Sequence, residues 1–418
     1  MGYIVCLFIL LLNVVVSRLM SRNILFPASL FSVIWLLVIT VHFLCSEYEY
    51  LGIRPLSNET LTIFSLGTCC FTFGALVSSL YFSNKSRTRR SLTNVYYTEI
   101  NYNISFERII VAIAVVFLPL YAYESYLIAT SNPISGNWFM DLRLNVNAGE
   151  ADRKYIYGTV FANFAFFLYL YKFYSGKDRN LKMLYFTSVL LLSYIVLSTG
   201  RTTIMQVFLL ILGVISVFKR VKIRYIIFAL VGFMALFFVY GIALQKGASE
   251  GNTFVENLHS LSENVVMYFI GGPSAFDQVF NRGIPSYEET RTFRLIASLL
   301  YKFGFTASPP QGLVENFVMV PFPTNVYTCY YVYIQDFGVG YAFFVLLVQA
   351  FFHTMFYYKA ITAGRYKVQF VFLYGMFLFP LVMSFFQDQF ITLLPNWIYI
   401  FVLTAITRKY IFYKSSFS

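Results

Sequence analysis

Charge is scarce in this 418-residue chain: Asp, Glu, Lys and Arg supply only 12% of it, against roughly 25% in an average soluble domain. With 58% hydrophobic residues, that shortage excludes water as the main solvent. Histidine is rare as well, and His42, His259 and His353 have no second His or Cys beside them. The five cysteines, Cys6, Cys45, Cys69, Cys70 and Cys329, show no CxxC spacing, so neither a metal site nor a disulfide framework is expected. P-loop, GxSxG and paired DxD-like acidic motifs are absent, which disfavours a nucleotide-driven pump and a cytoplasmic sugar-nucleotide transferase. No internal repeat of useful strength appears, which argues against an inverted-repeat transporter.

What the chain does have is a succession of apolar runs, each near the roughly 20 residues that cross a bilayer. They predict helices at 2–20, 24–46, 60–82, 105–130, 156–174, 183–199, 202–218, 224–245, 338–358, 368–386 and 390–407. The expected fold is therefore all-α and polytopic, with about eleven transmembrane helices. Gly2 to Met20 has no basic n-region or clear cleavage site and reads as a retained helix.

The net charge of +12 is dispersed in short groups between apolar runs, and no nucleic-acid motif accompanies it. Every second connection is basic, from Arg18 and Arg22 through Lys85–Arg90, Lys172–Lys182, Lys219–Arg224 and Lys359–Lys367 to Arg408–Lys414. That side holds 21 of the 31 Lys and Arg but only three of the 19 acids, Glu99, Glu107 and Asp178. By the positive-inside rule these connections face the cytoplasm, with the N-terminus outside and the C-terminus inside.

One connection breaks the pattern of short loops. The expected organisation is a bundle over 1–245, a large external loop over 246–337 and a second bundle over 338–418. Loops of that length in compact proteins are usually functional or disordered, and the stretch Arg291 to Phe305 (RTFRLIASLLYKFGF) favours structure with short interfacial helices.

Three places carry residues suited to chemistry. Arg201, in LSTGRTTIM, lies in a tight external hairpin. A guanidinium there either snorkels to headgroups or clamps phosphate oxygens with its planar fork of donors. Arg291 and Arg294 are three apart, with Lys302 further on, and on one helix they form a cationic stripe above Phe293, Ile296, Leu300 and Phe303. The segment Pro323 to Phe344 brings Asn325, Tyr327, Thr328, Gln335 and Asp336 to the mouth of a helix, as groups for sugar hydroxyls, unless it is only a cap and a glycine-packed helix. Asp336 is the leading carboxylate, because an acid at a membrane boundary is expensive unless paired or used. His259 is the other candidate base.

The Leu197–Arg201 hairpin, the arginine-bearing loop and the TNVYT…DFGVG segment of Thr324 to Gly340 together resemble the Wzy-type O-antigen polymerases, the oligosaccharide repeat-unit polymerase family, in layout over nearly the whole chain. The Arg-x10-Gly loop motif described for some relatives is not reproduced: nine residues separate Arg294 from Gly304, and no partner motif appears around Arg143.

The resemblance implies a GT-C-like enzyme of the bacterial inner membrane that joins undecaprenyl-pyrophosphate-linked repeat units on the periplasmic face, with no cofactor or metal and with inversion. It implies a lipid-linked glycan donor and acceptor as partners, membrane lipid around the enzyme, and a chain-length regulator and a flippase alongside. On that reading Arg201, Arg291 and Arg294 hold pyrophosphate, Asn325, Tyr327 and Thr328 meet the glycan, and Asp336 or His259 is the base. An O-antigen ligase and a lipid-linked oligosaccharide flippase are the alternatives.

Overall fold

The computed structural model describes residues 2–92, 104–147, 153–176, 179–219, 254–284, 290–310, 315–362 and 367–410, together with 221, 224 and 232. The expected helix at 224–245 lies outside these residues, apart from Arg224 and Gly232. The described helices are α1 (Gly2–Met20), α2 (Pro27–Glu47), α3 (Asn58–Leu92), α4 (Ile104–Ser131), α5 (Trp138–Asn147), α6 (Gly158–Ser175), α7 (Leu181–Ser198) and α8 (Arg201–Phe218). They continue with α9 (Phe254–Arg282), α10 (Arg294–Lys302), α11 (Cys329–Phe337), α12 (Val339–Ile361), α13 (Lys367–Val382) and α14 (Leu394–Tyr410). A two-stranded antiparallel ribbon, β1 (Val318–Met319) and β2 (Pro323–Thr324), interrupts them.

Seven of the described helical stretches are long and apolar enough to cross a membrane: Gly2–Met20, Pro27–Glu47, Asn58–Ser83, Phe106–Ser131, Leu181–Ser198, Val339–Ile361 and Lys367–Phe385. Thr202–Phe218 and Trp397–Ile406 are apolar but shorter. The architecture fits a helical, multi-pass membrane protein. Helix α1 shows why: Ile4, Phe8, Leu11, Leu12, Val15 and Leu19 are exposed along one side, while Cys6, Leu10, Asn13 and Ser17 are buried on the other. A contiguous apolar face of that kind needs a partner or lipid.

The chain forms two compact units that cut across the three expected sequence segments. The first comprises residues 1–92, 262–363 and 377–399; the second comprises 93–261, 364–376 and 400–418.

In the first unit, α3 and α12 approach closely because small residues line the seam. A Cβ on Gly74 would lie 2.2 Å from the Leu347 carbonyl oxygen of α12, and further along α3 one on Gly67 would lie 2.2 Å from the Tyr330 hydroxyl of α11. Ser78 Oγ donates to the Phe351 carbonyl across the same seam at 3.0 Å. Trp35, Phe64 and Tyr330, all fully buried, fill the space beside it with tilted and edge-on rings. Close backbone approach and interhelical hydrogen bonds are what drive helix association in lipid, where apolar burial contributes little.

The expected external loop is more ordered than short interfacial helices. It contains the 29-residue α9, whose Gly271-Gly272-Pro273 sequence reads as a break. Gly272 instead serves contact: a Cβ there would lie 2.4 Å from the Phe385 carbonyl oxygen.

In the second unit, Tyr194 of α7 donates to the Ala114 carbonyl of α4 at 2.7 Å, and stacks on Tyr121 with ring centroids 5.7 Å apart. Lys172 of α6 and Glu107 of α4 form an ion pair in which both side chains are buried.

Candidate functional site

The first unit gathers four charged residues around a small cavity. Arg291, Arg294, Glu315 and Asp388 line it with Tyr327, Tyr331, Gln387 and Thr392. Its volume is about 50 Å³.

Arg291 is not on the helix expected to carry it. It occupies the turn before α10, with the Arg294 backbone N–H bonded to its carbonyl at 3.2 Å, so the predicted three-residue stripe is replaced by a turn residue and a first-turn residue. Asp336, at the end of α11, ties this turn down. Its Oδ1 accepts from the Arg291 N–H at 3.2 Å and its Oδ2 from the Thr292 N–H at 2.7 Å. Two backbone donors ahead of α10 are satisfied in this way.

The Arg291 guanidinium forms an ion pair with Glu315 in which both side chains are largely buried. Arg294 has no ion-pair partner among the described residues. Burial, and then the neighbouring charge of Arg291, lower its pKa from the ordinary arginine value. For Glu315, burial pushes the carboxyl up, against the opposing pull of Arg291. Beyond Arg294, α10 turns Ile296, Leu299, Leu300 and Tyr301 outward, and Phe303 and Phe305 are exposed after it, which is the apolar underside expected of an interfacial helix.

Asp388 is the residue that the sequence reading passed over. It is buried between α13 and α14 and accepts from the Tyr333 hydroxyl at 2.6 Å, the Phe390 N–H at 2.9 Å and the Thr392 N–H at 2.8 Å. Gln349 Nε2 donates in turn to the Tyr333 hydroxyl at 2.5 Å. Burial raises the Asp388 carboxyl above its ordinary range despite these bonds. The signal that singled out Asp336, an acid at the boundary of a predicted span, applies equally to Asp388, which sits between the spans at 368–386 and 390–407.

The residues expected to meet a glycan divide. Tyr327 lines the cavity, donates to the Asn316 carbonyl at 3.0 Å and stacks on Tyr331 at 4.4 Å. Thr328 is fully buried at the N-terminus of α11, and its hydroxyl has no hydrogen-bond partner among the described residues. Asn325 is half-buried just after β2. His259 lies on α9, and its side chain is outside the described residues, as is that of Arg201.

Arg201 opens α8 in the second unit, directly after a turn in which Thr199 adopts the left-handed conformation (φ 53°). Two arginines missed as partners of this hairpin reach its backbone. Arg143 Nη1 donates to the Thr199 carbonyl at 3.0 Å, and Arg153 Nη1 to the Tyr121 hydroxyl at 3.1 Å and the Ser198 carbonyl at 3.5 Å. The Nε and Nη2 of Arg153 are buried without a hydrogen-bond partner among the described residues. Buried guanidinium donors are costly to leave unpaired and attract an anion or water.

No family model, curated protein or solved structure matches this chain.

Proposed function

We propose that this chain is a membrane glycosyltransferase that polymerises undecaprenyl-pyrophosphate-linked repeat units into O-antigen or a similar surface polysaccharide, on the periplasmic face of the bacterial inner membrane. The observation that carries the reading is Arg294, a partly buried guanidinium without a counter-ion among the described residues, lining a cavity beside the paired Arg291. Breaking a sugar–pyrophosphate bond develops negative charge on the leaving group. Fixed cations in a poorly hydrated site stabilise that charge most.

Roles follow from the hydrogen bonds. Arg294 binds the leaving pyrophosphate, and Arg291, held by Glu315 and by Asp336, adds a second fork. Asp336, which holds the backbone of the Arg291 turn and does not line the cavity, acts as a positioning residue. The base for the acceptor hydroxyl is better sought in Asp388, which lines the cavity and whose carboxyl burial raises above its ordinary range. Arg201, with Arg143 and Arg153, offers anion-binding groups at the hairpin of the second unit.

Contacts within the first unit support the alternation of sides that this topology needs, with eleven spans, N-terminus out and C-terminus in. Ser21, in an expected cytoplasmic connection, meets Tyr357 near the expected cytoplasmic end of α12 at 3.0 Å. Gly52–Leu56 and Met319–Pro321, both expected outside, line one cleft.

The test is deletion of the gene in its host with plasmid rescue, read on a lipopolysaccharide gel. Core bearing a single repeat unit, with the ladder restored by the wild-type plasmid and not by Arg294→Ala at equal protein level, is the expected result. Core with no unit at all would point to a ligase or flippase and end this reading.

A further inference from the structure

A second cleft of the first unit, of about 510 Å³, shares no lining residue with the arginine cavity. That volume lies in the roughly 300–1,000 Å³ range of small-molecule sites. Three segments build it: the turn Gly52–Leu56, the last turns of α9, and the tip of the β1–β2 ribbon at Met319–Pro321. Its polar groups come from Arg54, Asp277, Gln278, Asn281 and Arg282.

Several of these groups are prepared but unspent. Asp277 Oδ1 accepts from the Ser57 N–H at 2.9 Å and the Ser57 hydroxyl at 2.6 Å, which fixes the carboxylate and leaves Oδ2 without a bond among the described residues. With the Gln278 amide turned so that its nitrogen donates to the Met319 carbonyl at 3.1 Å, the orientation that satisfies both ends, its oxygen accepts from Arg282 at 2.9 Å and orients that guanidinium. Arg54 and Asn281 are exposed and make no side-chain hydrogen bond among the described residues.

The chemistry of this lining selects among ligands. A carboxylate beside two guanidiniums repels part of what would attract a phosphate, so the cleft differs from the arginine cavity in kind. A lipid tail would leave the carboxylate and amide unpaired. Fixed planar donors and acceptors side by side match vicinal hydroxyls, each of which both donates and accepts. Ile53, Pro55, Leu56 and Val320 add apolar surface for the C–H faces of a ring.

Position points the same way. Glu315 of the arginine cavity and Met319–Pro321 of the cleft are four to six residues apart on one short segment, which spans at most about 13–20 Å. The cleft has about ten times the volume of the arginine cavity.

We infer that the Arg54–Asp277–Asn281 cleft is a glycan subsite, binding a pyranose of the lipid-linked oligosaccharide through its hydroxyls while the arginine cavity engages the pyrophosphate; this rests on the polymerase reading. The experiment uses full-length protein in detergent, with lipid-linked repeat unit extracted from the deletion strain as substrate, and oligosaccharide released from it by mild acid as competitor. The Arg54→Ala/Asn281→Ala variant is expected to lose about tenfold in kcat/KM, the effect of two missing hydrogen bonds, and to escape competition by the free oligosaccharide that inhibits wild type. Should the double variant melt early, Asn281→Ala alone carries the same comparison. Wild-type turnover with unchanged kcat/KM and competition in the variant overturns the subsite alone. Failure of the wild-type protein to extend the unit, with a deletion strain that keeps its ladder, overturns the polymerase reading and the subsite with it.

Discussion

Asp336 and Arg291 are joined through the backbone of one and the side chain of the other: the carboxylate at the end of α11 accepts the Arg291 N–H at 3.2 Å and closes on the next amide at 2.7 Å. The acid therefore places the guanidinium without touching it. Asp336→Asn keeps one acceptor oxygen and should cost about 1 kcal/mol of stability, Asp336→Ala about 2, in line with charge-assisted backbone bonds. If Asp336 only positions, both variants lower turnover without moving the acidic limb of the pH–rate profile, and a profile that shifts in Asp336→Asn would return it to the role of base.

Asp388 makes the opposite prediction. Its raised carboxyl should produce an acidic limb at higher pH than an ordinary aspartate, with activity falling as pH drops through that value. Stability should run the other way. A carboxyl whose folded pKa is raised favours the folded state below the unfolded value, and that contribution is lost as pH rises through the folded pKa. Asp388→Asn should flatten this part of the pH–melting curve, measured by thermal unfolding in detergent, and remove the acidic limb from whatever activity survives.

Glu107 and Lys172 pair with both charges buried in the second unit. Removing one partner strands the other, so Glu107→Gln or Lys172→Met alone should each destabilise by about 3–5 kcal/mol, whereas the double variant should recover most of the loss. Additive losses in the double-mutant cycle would show that the pair is not coupled.

Gly74 has no room for a methyl group in the seam between α3 and α12. Gly74→Ala must displace backbone at Leu347 and should cost about 1–3 kcal/mol, read as a lower melting temperature. Gly340, which has open space around it, is the control and should tolerate Ala at a few tenths of that.

The long apolar helices were legible because a run of twenty hydrophobic residues has few other uses: α4 runs from Ile104 to Ser131 where 105–130 was expected, and α12 from Val339 to Ile361 where 338–358 was expected. Helix α9 was not, because Glu256, Glu263 and Asp277 dilute its apolar pattern and Gly271-Gly272-Pro273 imitates a turn whose true purpose is contact with Phe385. Of the candidate site, Arg291, Arg294 and Tyr327 could be named from residue type and context. Asp388 carried the same boundary signal as Asp336 and was passed over, whereas Glu315 becomes informative only once folding brings it to the arginines from outside the helix that announces them.

The seam between α3 and α12 also sets a schedule for biogenesis. Ser78 and its acceptor Phe351 are separated by 273 residues. At about 5–20 residues per second, the ribosome delivers α12 roughly 14–55 s after α3. For that interval Gly74 and the polar Ser78 wait without the helix they are shaped for. The first unit thus closes only once α12 has been made, and α3 is the segment expected to need an insertase or chaperone while it waits.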